Sequence, residues 1–359
     1  MALLTSNRSL SCFLGWYFAA FFLNYPNLSG GGVEAFVSSS TTPTTRHPFN
    51  TKPCCPARTF SQGLKASSNL ELDTVLQDIQ SIDDLMQTYD PILLFARRLL
   101  PEQTAKDASA LYAWCRRLDE ITDDPNADVE TIQQRLDIWQ RRFEKICNNE
   151  PVDDMDAALT ECLSRSESLT KEPFEDMIQG MRNDAVLNRR IKTMDELEEY
   201  AYQVAGTVGV MLLPLLKADM KNAKEPAIAL GKAIQLINIL RDASFDVSLG
   251  RIYLPQELLN EYHVLEEDIM NYKSSKEYCA VVKHVADRAT DLLEQAEEGK
   301  KSLPGLGPLF VQIIIELYRE YLEKLESFGY DNLNTKGERV RISSLQKLGS
   351  VVKAVGKII

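Results

Sequence analysis

The chain has 359 residues, 44% of them hydrophobic and 26% charged, with 40 basic against 52 acidic side chains and a formal charge of −12. This composition belongs to a folded globular protein, not to a disordered one. The negative balance excludes a nucleic-acid partner from the expectations, but it leaves room for an anionic substrate if metal cations stand between that substrate and the carboxylates.

The first 70 residues differ from the rest. Arg8 precedes the apolar run "CFLGWYFAAFFL" (12–23), and Val33 and Ala35 are the small residues a signal peptidase prefers. The run is too short to span a bilayer. From Val37 to Ser68 there is no Asp or Glu, while Arg46, Lys52, Arg58 and Lys65 alternate with Ser, Thr and Pro. The pattern predicts a signal peptide (1–35) followed by a transit-peptide-like segment (36–70), the bipartite arrangement of plastids enclosed by extra membranes. Five bases and one acid lie in these 70 residues, so the remaining chain carries a charge near −16.

From Glu71 onward apolar residues recur every three to four positions and alternating β-branched runs are scarce, which predicts an all-α domain over 71–359. Helices are expected at about 71–88, 91–99, 102–123, 129–148, 153–166, 172–182, 194–218, 226–247, 255–260, 265–271, 275–301, 307–328 and 343–358. Cys115, Cys147, Cys162 and Cys279 are widely spaced and suggest neither disulfides nor a zinc site. The isolated His263 and His284 give histidine chemistry no support.

Two acidic clusters carry the chemistry. In "YAWCRRLDEITDDPNA" (112–127), Asp119 and Asp123 fall four apart, on one helix face, with Arg116 three residues before the first. In "QLINILRDASFDVSLGRIYLPQELL" (235–259), Asn238, Asp242 and Asp246 fall at i, i+4 and i+8, with Arg241 beside them. Hard divalent cations such as Mg²⁺ take carboxylate and amide oxygens and complete their shell with water and substrate phosphates. Two such stripes facing one another would make a magnesium cage for a diphosphate. An isolated stripe reads better as a solvated helix face; it is the pair that favours a site. "VAGTVG" (204–209) places Ala205 and Gly209 a turn apart, either as room for a long ligand tail or as a close helix crossing.

These two segments, together with "PFEDMIQGMRND" (173–184) and "YAYQVAGTVGVMLLP" (200–214), resemble the squalene and phytoene synthases, in detail the phytoene synthase branch, from about Tyr89 to Leu348 and in the family's order. The resemblance implies the all-α isoprenoid synthase fold, a helical bundle with a central cavity. It also implies Mg²⁺-dependent head-to-head condensation of two geranylgeranyl diphosphates to phytoene, with Mn²⁺ as a substitute ion and no NADPH. Position by position, Asp119, Asp123, Asn238, Asp242 and Asp246 match metal-linked residues. Arg116, Arg241, Arg251, Arg339 and Lys347 match residues around the diphosphates. Tyr112, Tyr200, Tyr253 and Tyr318 match tyrosines lining the reaction chamber, and Gln235 and Asp184 also agree.

The chain departs from the family's second motif at Phe245, where the family carries Glu, and near its first helix, where Asp90 and Ile92 stand in place of serines. A squalene synthase-type enzyme and a catalytically silent relative acting through protein contacts, carotenoid-pathway enzymes among them, are the competing readings. The C-terminal segment "LQKLGSVVKAVGKII" is too short and too charged to span a membrane. Its apolar residues Leu345, Leu348, Val351, Val352, Val355 and Ile358 share one arc, suited to peripheral membrane contact or to packing on the bundle.

Overall fold

Helix starts follow the side chains able to receive orphaned backbone donors. The carboxylates of Asp128, Asp153 and Asp219 and the hydroxyls of Thr193 and Ser275 each accept from a backbone N–H in the first turn they precede. Thr193 and Glu196 form a reciprocal cap, Glu196 accepting from the Lys192 N–H at 2.8 Å. The computed structural model describes residues 81–89, 94, 101–124 and 127–358. The presequence, most of the helix expected at 91–99, Asp90 and Ile92 lie outside those residues.

We number the helices α1 (Ile82–Tyr89), α2 (Glu102–Thr122), α3 (Val129–Cys147), α4 (Asp154–Arg165), α5 (Glu172–Asp184), α6 (Met194–Ala201), α7 (Thr207–Leu215), α8 (Met220–Ser248), α9 (Gln256–Glu261), α10 (Glu266–Met270), α11 (Lys276–Gly299), α12 (Gly307–Ser327) and α13 (Ser344–Ile358). Among the described residues there is no strand, only an isolated bridge between Arg190 and Ile252. The all-α expectation holds, and helix ends fall close to where periodicity puts them.

Two elements differ from expectation. The helix predicted over 194–218 is interrupted by a π turn at Tyr202–Gly206, and α8 begins at Met220, six residues early, running through Pro226. The first change brings the backbone of Gly206 against Gly231 of α8: a Cβ on Gly231 would lie 2.5 Å from the Gly206 Cα. The second is tolerated because Gly299 of α11 leaves room for the proline ring, which a Cβ there would meet at 2.1 Å.

Helix α8 runs through the middle and packs against α6, the π turn, α7, α11 and α12. Helix α2 is buried continuously from Asp107 to Asp119, so it is surrounded instead of lying on a surface. Trp114 of α2 meets Trp139 and Phe143 of α3 and Phe174 of α5, with ring centroids 4.8–6.0 Å apart. This aromatic joint fixes α2 and α5, whose C-terminal ends carry one wall of the site, against α3.

Candidate active site

On α8, Gln235, Asn238, Ile239, Asp242 and Asp246 recur at helical spacing and present one face. Opposite that face lie Asp123 at the end of α2 and Asp184 at the end of α5, and the cleft between them is completed by Arg251, Tyr253, Tyr200, Val204, Met181, Ala185 and Thr122. Two acidic segments about 120 residues apart therefore share one space, as the paired-stripe reading required.

The loop after α8 is placed by its neighbours. Ile252 and Gln256 donate backbone hydrogen bonds to the carbonyls of Arg189 and Ile191, and Gly250 takes φ +74°, where a Cβ would meet Asn188 at 2.8 Å. The Tyr253 hydroxyl donates to Asp184 at 2.7 Å, and Arg251 lies 3.6 Å from the same carboxylate. Tyr200 stacks on Tyr253, centroids 5.6 Å apart and planes 18° apart. Tyr318 donates to the amide oxygen of Asn238 at 3.5 Å.

Other expected site residues sit elsewhere. Arg116 and Asp119 are fully buried and do not line the cleft. Arg116 is 3.3 Å from Asp119, is also paired with Glu120, and lies under the Tyr89 ring at 3.9 Å. Burial works to lower the Arg116 pKa, but Asp119 and Glu120 outweigh it and raise the value. Burial and Glu120 push the Tyr89 hydroxyl up to about 12. Tyr112 is fully buried. Arg241 is buried against Asp242, donating from Nε and Nη2 at 2.7 and 2.8 Å, and faces the Tyr321 ring at 5.7 Å. Arg339 is 3.6 Å from Asp242. Lys347 lies on α13, outside the cleft lining.

Ala205 does not line the cleft: its carbonyl would be 2.7 Å from a Cβ on Gly231, a close helix crossing. Gly209 lines a second space, an apolar pocket walled by Leu212, Leu216, Ala223, Leu230, Phe310 and Ile314. Among the described residues, these two spaces lie along the bundle where the resemblance implies one central cavity. The glycine crossing falls between them in sequence: Val204 and Gln235 face the cleft, Gly209 and Leu230 the pocket. Helices α2 and α8 contribute to both, each with its N-terminal half at the pocket. From Leu230 to Asp242 is about 18 Å along the α8 axis.

Among the described residues, no three His, Cys, Asp or Glu side chains converge on one point. In place of the expected cage, Asp119, Asp242 and Asp184 engage arginines. Magnesium does not need such a triad, because it is bound through one or two carboxylates with waters and substrate phosphates. The donor set fits: every candidate ligand is a hard oxygen, and the buried Asn238 Nδ2 has no hydrogen-bond partner. An amide flip would turn its oxygen in the opposite direction without steric change.

Residues that sequence reasoning missed include Thr122, Met181, Ala185, Val204 and Ile239 in the cleft and nearly all of the apolar pocket. They are ordinary core residue types and carry no local mark of a site.

The family described as squalene/phytoene synthase matches residues 86–346. The chain is 36% identical over 306 residues to the 15-cis-phytoene synthase of Synechococcus elongatus, covering 82% of this chain and 97% of that one. It is 36% identical over 280 residues to phytoene synthase 1, chloroplastic, of Zea mays, covering 76% and 67%. Among solved structures, a dehydrosqualene synthase in complex with ligand superposes with a TM-score of 0.66 at 28% identity, covering 80% of this chain and 98% of that one.

Proposed function

The chain belongs to the squalene/phytoene synthase family, and on that premise we propose that it condenses two geranylgeranyl diphosphates head to head to phytoene, through prephytoene diphosphate, the first committed step of carotenoid biosynthesis. The observation that carries this reading is the pairing of the acidic cleft with an apolar pocket along the same helices.

Asp123, Asn238, Asp242 and Asp246, with Asp119 behind them, would hold magnesium, or Mn²⁺ as substitute, and the chemistry such an ion would supply there is neutralisation of charge on the departing diphosphate. Arg251 and Arg339 offer donors to the same anion. The stacked faces of Tyr200 and Tyr253 attract the allylic cation, each by about 0.5–2 kcal/mol. The apolar pocket accepts a prenyl tail and keeps water from the cation.

The bipartite presequence supports a plastid location. Among the described residues no helix is long and apolar enough to cross a membrane. Helix α13 supports peripheral membrane contact: Leu345 is 81%, Val352 66% and Leu348 59% exposed, while Lys353 and Lys357 turn inward to Glu320 and Glu316. Contact with carotenoid-pathway enzymes at that membrane follows from the insolubility of the product.

The test is product analysis of the purified protein with geranylgeranyl diphosphate and Mg²⁺, with and without NADPH. A C40 hydrocarbon formed without reductant is expected. In a parallel assay supplied with farnesyl diphosphate, squalene formed only with reductant identifies the squalene-type reading, and neither turnover nor Mg²⁺-dependent diphosphate binding identifies a silent relative.

A further inference from the structure

The position that breaks the family's acidic pattern carries an arrangement of its own. Phe245 lies on α8, three residues after Asp242, and the guanidinium of Arg339 sits over its ring, 4.8 Å from the centroid. Arg339 Nε is 3.6 Å from Asp242 Oδ2, beyond hydrogen-bond length, and that carboxylate already receives two donors from Arg241. Its side chain is only 22% exposed.

The segment bearing Arg339 is fastened along α8. Asn332 donates to the Leu240 carbonyl at 2.8 Å and accepts from the Tyr278 hydroxyl at 2.6 Å. Gly337 donates to the Ser244 hydroxyl, and Val340 donates to the Arg241 carbonyl at 2.9 Å. The backbone at Arg339 is therefore fixed, and the aromatic ring fixes the side chain. A guanidinium held over an aromatic ring and only loosely paired through Nε keeps N–H donors on its planar edge for an anion.

We propose that Phe245 is a positioning residue that holds Arg339 face-on, so that the guanidinium edge serves an oxygen of the substrate's diphosphate. The proposal rests on the prenyl diphosphate reading of the cleft. Glutamate at this position, as in the family, would offer the same donors a carboxylate and draw them onto the protein. Phenylalanine in its place removes one negative charge from the acidic stripe and leaves Arg339 with its loose pair to Asp242 at 3.6 Å.

The test is calorimetric binding of inorganic pyrophosphate in the presence of Mg²⁺, with steady-state kinetics and thermal midpoints measured on the same proteins. F245L is expected to weaken pyrophosphate binding by roughly 2- to 30-fold, the span of a cation–π contact from exposed to desolvated. KM for the prenyl diphosphate rises with it while kcat changes less. F245Y, which keeps the ring, restores binding to within about twofold, and F245E weakens binding at least as much as F245L. In an R339Q background, F245L has no further effect on binding, because it acts through the arginine.

Unchanged pyrophosphate affinity in F245L, tighter binding in F245E, or the same loss from F245L with and without Arg339 would overturn the proposal. So would an F245L protein of lowered midpoint that binds normally, since the ring would then serve only packing. If the unmutated protein binds no pyrophosphate at all, the functional reading falls and this proposal with it. Binding by the unmutated protein with an insensitive F245L defeats the proposal alone.

Discussion

Arg241 and Asp242, adjacent on α8, form a two-pronged ion pair in which Nε and Nη2 donate to the two carboxylate oxygens at 2.7 and 2.8 Å. Neighbouring helix residues point about 100° apart, so the long arginine must curl back along the helix to reach. It does so where its guanidinium is covered by Tyr321. The carboxylate assigned to the metal is therefore also the counter-ion of a buried base.

Asp242→Asn should remove both roles. Turnover of geranylgeranyl diphosphate is expected to drop at least a hundredfold, and the protein to lose about 1–3 kcal/mol of stability because Arg241 keeps only a neutral acceptor. Chemical denaturation of the two proteins, alongside product analysis, checks it. An active variant would remove Asp242 from the metal set.

Filling the apolar pocket should shorten the preferred donor. Leu212→Trp or Ala223→Phe places ring atoms where Leu230, Phe310 and Ile314 line the space. Each displaced methylene of the substrate forfeits about 0.8 kcal/mol, so excluding one isoprene unit raises KM for the C20 donor at least about tenfold while sparing a C15 donor. Competition between the two donors, read by chromatography of the products, measures the shift. Equal effects on both chain lengths would move the tail site elsewhere.

Acid should loosen the joint between α6, α8 and α11. Glu198 accepts from Arg288 at 2.6 and 3.1 Å and from Lys232 at 3.3 Å. The hydrogen bonds from Arg288 hold its carboxyl below the ordinary glutamate value. A depressed folded pKa means that this stabilisation is complete above the unfolded value of about 4.3 and is lost as pH falls through the folded value. Glu198→Gln should be less stable than the parent at neutral pH, and the gap should narrow below about pH 4. Thermal midpoints from pH 3 to 7 test the sign.

The outward stripe of α13 should govern vesicle binding. Replacing Leu345, Leu348 and Val352 together by serine is expected to abolish co-flotation with liposomes. It should leave the melting midpoint within a few degrees, since these side chains are already in water. Retained flotation would place the membrane contact on another surface.

Helix existence and most helix ends were legible in the sequence, because period and capping act within a few residues: Thr193 with Glu196 and Ser275 before Tyr278 are examples. The two acidic segments were legible for the same reason, since residues four apart share a face of any helix. What chain order could not give was the rotation of each helix about its axis. Asp119 and Asp123 satisfy the same spacing, yet the first is enclosed with Arg116 and the second reaches the cleft. Ala205 and Gly209 likewise divide between a tight crossing and a cavity wall.

Sequence by itself determined an all-helical chain with oxygen-rich stripes on two helices and an aromatic residue where the pattern wants an acid. Tertiary structure alone decided that the stripes meet, that an apolar pocket accompanies them, and that Phe245 lies beneath Arg339, 94 residues further along the chain. The physical reason is range: hydrogen-bonded turns are settled among neighbours, whereas burial of an apolar face depends on every other face competing to cover it.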